Sequence, residues 1–356
     1  MTEQIAVQST PRPTRNFMTH RPTNRPLFLL CGVLLALFAS ACSSDQGGLP
    51  LGSGATARAA TARSLPSGAI YLTTHDGEVL TVDPARESIG VLWEETESQL
   101  PAFEVGPTAD SAGLFVLLGG TTLPVESSLH EIIDGALAPS ANNLSGQTIC
   151  LSNHQRSEIP LAHEAKRSPD SGSLFTAVSS TGEAIDDPWV MTERNSAFCP
   201  RWTSQRDTVL TTAAYDESAN IETQLIIERP FEQFSIASAG CVLLPMGVSP
   251  DDRFAAITAL CLDEQQADEG LFLLDLTTVD STTTFADLVK VADGGFGNGA
   301  WDPTGTRIAT ARSGDTPDDP PSLAILNIAT GTTKKLTLPN DARVHTIAWL
   351  PAAVHG

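Results

Sequence analysis

The chain has 356 residues, enough for two average domains or for one large all-β domain of roughly 250 residues or more. It contains 21 basic and 42 acidic residues, which gives a net charge of −21. Such a surface repels nucleic acid and bare anionic membranes, so we expect neither as a direct partner, and it favours a monomer.

A segment near the N-terminus has the features of a secretory signal. Residues 26–41 are apolar almost throughout, follow a basic stretch and end in small residues. This segment is shorter than the roughly 20 residues of a membrane-spanning helix. The sequence therefore predicts a signal peptide over residues 1–41, with Met18 as an alternative start of translation.

The end of this segment resembles the lipobox of bacterial lipoproteins. It reads Phe38-Ala39-Ser40-Ala41-Cys42, with Ala39 where that motif usually has leucine. The resemblance implies that Cys42 becomes the first residue of the mature chain, carries a lipid and anchors the protein in the cell envelope, at an outer membrane, the periplasmic side of a membrane or the cell surface. An ordinary signal peptide without a lipid is the alternative.

The residues after Cys42 have the composition of a flexible tether. Residues 43–67 are rich in Gly, Ser, Ala and Thr and show no sustained apolar period. We therefore expect a linker over residues 42–67 and a folded domain over residues 68–356.

Four cysteines remain within the predicted folded domain: Cys150, Cys199, Cys241 and Cys261. An even number in an exported chain predicts two disulfides, for which three pairings are open. We favour Cys241 with Cys261, because both lie in neighbouring strand-like runs, which leaves Cys150 with Cys199. Buried free thiols are the alternative.

A turn motif recurs along this domain. In each copy an apolar residue precedes a turn of Pro, Asp, Gly or Ser, and a strand-like run follows; the aligned positions are Pro107, Pro169, Ser204, Pro250, Pro303 and Pro351. Successive positions are 62, 35, 46, 53 and 48 residues apart, close to the roughly 45 residues of one propeller blade.

Each turn is followed by further strand-like runs. Apolar third strands are predicted at residues 189–192, 225–228, 271–276 and 323–328. Residues 129–165 are irregular and are interpreted as an insertion.

The two ends of the domain supply parts of one repeat. Residues 344–349 have the pattern of a first strand, whereas residues 69–73 and 78–82 have the pattern of later strands. Joined together they close a ring that has no free edge between repeats. The sequence thus predicts an all-β, six-bladed β-propeller whose terminal strands close one blade, with an irregular β-sandwich as the alternative.

Three of the turns resemble the W-S-P-D-G-K-R turn of TolB-type propeller repeats. They are RSPDS (residues 167–171), SPDDR (249–253) and WDPTGTR (301–307). The resemblance implies a TolB-like propeller from residue 68 to the end, acting as a scaffold or sensor that binds an envelope protein or peptide at one mouth of the ring. The acidic surface favours a basic segment in that partner. Because the same repeat occurs in scaffolds, sensors and peptidases, it leaves the activity open.

Motifs of common enzymes are absent from the sequence. It contains no G-x-S-x-G, no H-E-x-x-H and no G-x-x-x-x-G-K. We therefore expect a binding protein rather than an enzyme, without a cofactor or metal. A propeller hydrolase or lyase with a site at the channel mouth is the alternative.

Three tryptophans share one place in the repeat, the end of a predicted first strand: Trp202, Trp301 and Trp349. They are candidates to line the channel mouth and to stack on a carbohydrate or another metabolite. Packing between blades is the alternative, and it is the one we favour.

The lipid prediction is tested by replacing Cys42 with serine. Because the substitution removes the thiol that carries the lipid, we expect C42S to lose incorporation of labelled palmitate and to leave the membrane fraction. The matched control is Cys31→Ser, which lies inside the predicted signal and should keep both properties. Equal labelling of C42S and the wild type would contradict a lipid on Cys42.

Overall fold

The computed structural model describes most of the predicted folded domain, namely residues 65, 68–94, 101–107, 113–119, 127–133, 136–139, 149–151, 161–168, 172–178, 189–190, 200–205, 207–217, 220–238, 240–261, 269–312, 320–339 and 342–351. The predicted signal peptide, Cys42 and nearly all of the predicted linker lie outside the described residues. So does Cys199.

The described residues form six four-stranded antiparallel sheets, numbered I to VI in chain order. Sheet I contains β1 (Ile70–Thr74), β2 (Val79–Asp83) and β3 (Ser88–Trp93), and sheet II contains β4 (Ala102–Pro107), β5 (Leu114–Gly119), β6 (Ser127–Ile133) and β7 (Ala136–Pro139). Sheet III contains β8 (Ile149–Leu151), β9 (Leu161–Ser168), β10 (Gly172–Val178) and β11 (Trp189–Val190).

The remaining three sheets repeat the same order. Sheet IV contains β12 (Arg201–Trp202), β13 (Val209–Glu217), β14 (Asn220–Arg229) and β15 (Glu232–Ala237). Sheet V contains β16 (Cys241–Val248), β17 (Phe254–Cys261), β18 (Gly270–Asp275) and β19 (Val289–Asp293), with a short 3₁₀ helix at Phe285–Asp287. Sheet VI contains β20 (Phe296–Trp301), β21 (Arg307–Arg312), β22 (Ser322–Asn327) and β23 (Thr333–Thr337), and β24 (Val344–Trp349) completes sheet I.

The two ends of the folded region pair with each other in sheet I. Strand β24 lies antiparallel to β1, with Leu72 opposite Ile347 and Tyr71 opposite Ala348. Sheet I therefore has the order β24-β1-β2-β3, as the sequence predicts. The pairing leaves β1 without a free edge, because one side faces β24 and the other faces β2.

Separate apolar clusters lie between neighbouring sheets. Clusters join sheets IV and V, V and VI, VI and I, I and II, and II and III. The middle strands are buried on both faces, which explains their continuous apolar runs, such as LFVLLG in β5 and IYLTT in β1. The outermost strands are more exposed, as in β23 and β15. Among the described residues no helix is long and apolar enough to cross a membrane.

Sheet III departs from the strand assignment that the turn motif predicts. The sequence places the second strand after Pro169, whereas the structure has β9 as the second strand and β10 as the third. Residues 189–190 then form the fourth strand rather than the third. The predicted insertion at residues 129–165 is also wrong, because it contains parts of β6 and β9 and the whole of β7 and β8.

The turns after β16 and β20 explain why the sequence motif recurs. Asp302 is fully buried, and its Oδ1 accepts hydrogen bonds from the amides of Thr306 and Arg307, both at 2.8 Å. Gly305 adopts φ +70, a conformation that favours glycine, and Asp252 occupies the matching place in sheet V with φ 61. The Asp252 carboxylate also accepts a 2.8 Å hydrogen bond from the amide of Ser204, which links the turns of sheets V and IV.

A buried threonine pair fastens the terminal strand to its neighbours. The hydroxyls of Thr73 and Thr346 are 2.9 Å apart, and Thr346 Oγ1 also accepts a hydrogen bond from the amide of Val105 in β4 at 2.9 Å. Thr73 in turn donates to the carbonyl oxygen of Phe103 at 3.1 Å. These bonds connect β1, β24 and β4, so they join sheets I and II.

We expect Thr346→Val to destabilise the protein by about 1–3 kcal/mol, because it leaves the buried Val105 amide without its acceptor. Urea unfolding of T346V and wild type measures this loss. The control is Thr337→Val on the exposed face of β23, which should change the unfolding free energy by less than about 0.5 kcal/mol. Equal stability of T346V and T337V would show that the threonine pair does not fasten the terminal strand.

Candidate functional site

The three tryptophans are buried. Trp202, Trp301 and Trp349 are 2%, 3% and 2% exposed. The indole Nε1 of Trp301 donates to the carbonyl oxygen of Gly247 in sheet V at 3.2 Å, and that of Trp349 donates to the carbonyl oxygen of Gly68 at 3.1 Å. Their burial fits the packing alternative and leaves no ring face on which a sugar could stack.

Two of the four candidate cysteines form a disulfide. Cys241 and Cys261 lie opposite each other at the ends of β16 and β17 and are bonded through their sulfur atoms. Cys150 lies in β8, next to Ala162 of β9, but its side chain is not among those described. Because Cys199 lies outside the described residues, the pairing of Cys150 with Cys199 stays a prediction.

Four side chains gather where the first strands of sheets VI, I and II begin. We call them the strand-end cluster: His75, Phe103, Asn298 and His345. The ring centroids of Phe103 and His345 are 4.2 Å apart, and those of His75 and His345 are 5.4 Å apart. The amide nitrogen of Asn298 donates to the carbonyl oxygen of His345. His75 and Asn298 are exposed, while Phe103 and His345 are half-buried.

Both histidines of the cluster are neutral at physiological pH. Burial and, to a smaller extent, the neighbouring His75 lower the pKa of His345 to about 4. Burial is also the main cause of the lowered pKa of His75. The charge of Arg343 lowers that pKa further, whereas the charge of Asp76 raises it. The cluster therefore presents two uncharged imidazoles and a phenyl ring, a surface suited to packing against another side chain.

Three acidic side chains lie beside this cluster and are called the acidic rim: Asp76, Glu78 and Glu94. Burial raises the pKa of Glu78, and repulsion from Glu94 and then from Asp76 raises it further. Asp76 and Glu94 are exposed. This end of the structure thus combines an aromatic patch with negative charge.

Glu104 and Arg201 are two buried charged residues on first strands. Glu104 in β4 is 4% exposed, and its Oε2 accepts a 3.0 Å hydrogen bond from the amide of Leu151 in β8. Burial raises the pKa of Glu104 to about 7, although Arg201 and the Leu151 amide act in the opposite direction. Arg201 in β12 is 9% exposed; burial lowers its pKa and Glu104 opposes that effect.

A cleft of about 570 Å³ lies on sheet V, lined by residues of β17, β18 and β19 and of the segment between β18 and β19. Its lining combines Phe254, Leu273 and Val289 with carboxylates that belong to local turns. Asp280, for example, accepts hydrogen bonds from the amide and hydroxyl of Thr282 at 2.8 and 2.6 Å. These bonds explain the carboxylates as turn-forming groups. No group of three or more metal-binding side chains occurs within the described part of the chain.

The sequence prediction of site residues missed both the strand-end cluster and the buried charges. The cluster has no sequence signature, because His75 and His345 are 270 residues apart and meet only through the pairing of β1 with β24. The repeat alignment of the sequence could have revealed Glu104 and Arg201. Each stands three residues before its aligned turn position, Pro107 or Ser204.

Comparison with known proteins identifies the fold. No protein-family model and no curated protein matches the sequence. Among solved structures, the chain is similar to TolB from Acinetobacter baumannii with a TM-score of 0.57 and 12% identity, over 80% of this chain and 67% of that one. It is similar to a putative TolB from Agrobacterium tumefaciens with a TM-score of 0.50 and 11% identity, over 80% of this chain and 98% of that one.

A third similar structure is the Kuenenia stuttgartiensis hydrazine synthase, with a TM-score of 0.50 and 10% identity, over 81% of this chain and 47% of that one. At such identities the similarity shows the fold and not the activity. The protein therefore has a TolB-like β-propeller fold, made of four-stranded antiparallel sheets and almost no helix.

The raised pKa of Glu104 predicts a loss of stability with rising pH. Native Glu104 holds its proton up to about pH 7, whereas the unfolded chain releases it near 4.5. Its contribution to the free energy of unfolding is therefore fully present below about pH 4.5 and is lost as the pH rises through 7. The loss amounts to up to about 3 kcal/mol. Urea unfolding at pH 5 and pH 8 should show this loss in the wild type and a smaller one in E104Q. The control, Glu232→Gln on exposed β15, should follow the wild type; an E104Q profile parallel to the wild type would contradict the assignment.

Proposed function

We propose that this protein is a lipid-anchored β-propeller of six blades in the cell envelope, and that it acts by binding a protein partner rather than by catalysis. The TolB-like fold, which extends over about 80% of the chain, is the observation that carries the proposal. The lipid anchor rests on the resemblance of residues 38–42 to a lipobox, and the linker of residues 42–67 gives the propeller reach from the membrane.

The binding surface we propose is the strand-end cluster together with the acidic rim. The rings of Phe103 and His75 offer a contact for an apolar or aromatic anchor of the partner. Asp76 and Glu94 beside them favour a basic segment, and the net charge of −21 steers such a segment toward the protein. The partner is therefore an envelope protein or peptide in which an anchoring side chain lies next to lysine or arginine.

The proposal of a binding role without catalysis rests on the chemistry of the same residues. Both histidines of the strand-end cluster are held neutral mainly by burial, and His345 titrates near pH 4, far from the pH at which a general base works best. The sequence also lacks the nucleophile and metal motifs of common hydrolases.

Neutralising the acidic rim tests this surface. We expect Asp76→Asn combined with Glu94→Gln to reduce recovery of the envelope partner about 2- to 10-fold in affinity capture from native membranes, because two exposed attractive charges are lost. The matched control is Glu232→Gln with Asp293→Asn, which removes the same charge from two exposed sites on sheets IV and V. Recovery should fall as the salt concentration rises, both in the wild type and in the control, because salt screens the attraction between the charges.

Equal recovery by the rim variant and the control would place the binding surface elsewhere. Turnover of a small molecule, with no protein recovered from the membranes, would replace the scaffold proposal by the enzymatic alternative.

A further inference from the structure

Glu104 and Arg201 occupy the same position of the repeat. Counted three residues back from the aligned turns, the first strands of sheets II, IV, V, VI and I carry Glu104, Arg201, Gly247, Ala300 and Ala348. All five are buried. Three of them are Gly or Ala, whereas Glu104 and Arg201 carry long charged side chains at this position. First strands of neighbouring sheets contact each other in a propeller, around its axis.

Within the part of the chain that the structure describes, Arg201 has fewer hydrogen-bond partners than Glu104. Its side chain is more than nine-tenths buried, and neither Nε nor Nη1 has a hydrogen-bond partner among the described residues. A guanidinium keeps its charge in proteins, so burying it without acceptors is strongly unfavourable. Native proteins rarely leave such groups unmatched, and an unmatched one marks a place where a further group belongs.

Glu104 does not supply the missing acceptor directly. Its Oε2 is engaged by the Leu151 amide, and no hydrogen bond or ion pair joins Glu104 to Arg201 within the described residues. The two charges act on each other only through space. Strand β8 of sheet III, which lies between sheets II and IV in chain order, has only three residues and is apolar at Ile149 and Leu151.

We propose that Arg201 binds the carboxylate of a small ligand at the first strands, and that the Glu104 carboxyl lies within electrostatic reach of that ligand. A planar guanidinium matches a carboxylate geometrically and forms charge-assisted hydrogen bonds with it. The net charge of −21 disfavours polyanions, so the site selects a single small carboxylate, either a free metabolite or the C-terminus of a peptide. The assignment of this site does not rest on the partner surface proposed above, although Glu104 directly follows Phe103 of that surface in β4.

Ligand binding at Arg201 is coupled to protonation of Glu104. An entering carboxylate repels the Glu104 anion and takes over its attraction to Arg201, so the fraction of Glu104 that is still ionised takes up a proton from solvent. The strands packed against β4 are β5, β1, β24 and β8, and their titratable groups are Tyr71, His345 and Cys150, with none on β5. The charge that acts on Glu104 is that of Arg201.

Calorimetric titration of the full chain with sodium acetate tests the site. We expect saturable binding in about the millimolar range, weakened at least about tenfold in Arg201→Gln and unchanged in Arg253→Gln, an exposed arginine of sheet V. Titrations with the peptides triglycine and triglycinamide distinguish the two sources of the carboxylate, a free metabolite and a peptide C-terminus. Binding of triglycine but not of its amide indicates a peptide C-terminus, and binding of acetate alone indicates a free metabolite. No saturable acetate binding to the wild type, or equal affinity in R201Q, would overturn the proposal.

Because R201Q could fail to fold, Glu104→Gln provides a second test. Above about pH 7 the wild-type affinity for acetate should fall by up to about tenfold per pH unit, and titrations in two buffers should show uptake of about half a proton at pH 7 that rises toward one at pH 8. E104Q should still bind acetate, but without the pH dependence and without proton uptake. A wild-type affinity that is independent of pH, or an E104Q variant that still takes up the proton, would contradict the coupling.

Discussion

The pairing of β24 with β1 is the constraint on which the rest of this structure depends. Each sheet buries its faces only against its neighbours, so a row of such sheets would end in two exposed apolar faces. Joining the chain ends within sheet I places Leu72 opposite Ile347 and buries both. The pairing also brings His345 next to His75 and Thr346 next to Thr73. The candidate binding surface is therefore a product of the pairing between β24 and β1.

The first strands combine two kinds of residue that serve different purposes. At one repeat position, small residues such as Ala300 and Ala348 allow close packing between sheets. At the same position in sheets II and IV, Glu104 and Arg201 introduce buried charges that weaken packing unless they are matched. Ionisation of the buried Glu104 costs stability, as its raised pKa shows, and this is why we assign the two charges to ligand binding rather than to the fold.

The sequence predicts the all-β repeat well wherever the residues of a turn are fixed by hydrogen bonds or backbone conformation within that turn. The buried Asp302 and the positive φ of Gly305 leave a readable pattern, and so do Asp252 and its neighbours in sheet V. Sheet III shows the limit, because the turn-like Pro169 follows its second strand and the short β8 carries no such signature. The strand-end cluster was unpredictable for a different reason. It is assembled from residues far apart in the chain, by a pairing that local patterns do not specify.

Hydrogen exchange of the β24 amides tests the pairing of β24 with β1 most directly. If β24 closes sheet I as an integral strand, its amides should exchange only through global unfolding, with the same free energy as the buried amides of β5 and β17. Exchange of the β24 amides at a much lower free energy, as for a frayed chain end, would contradict the account.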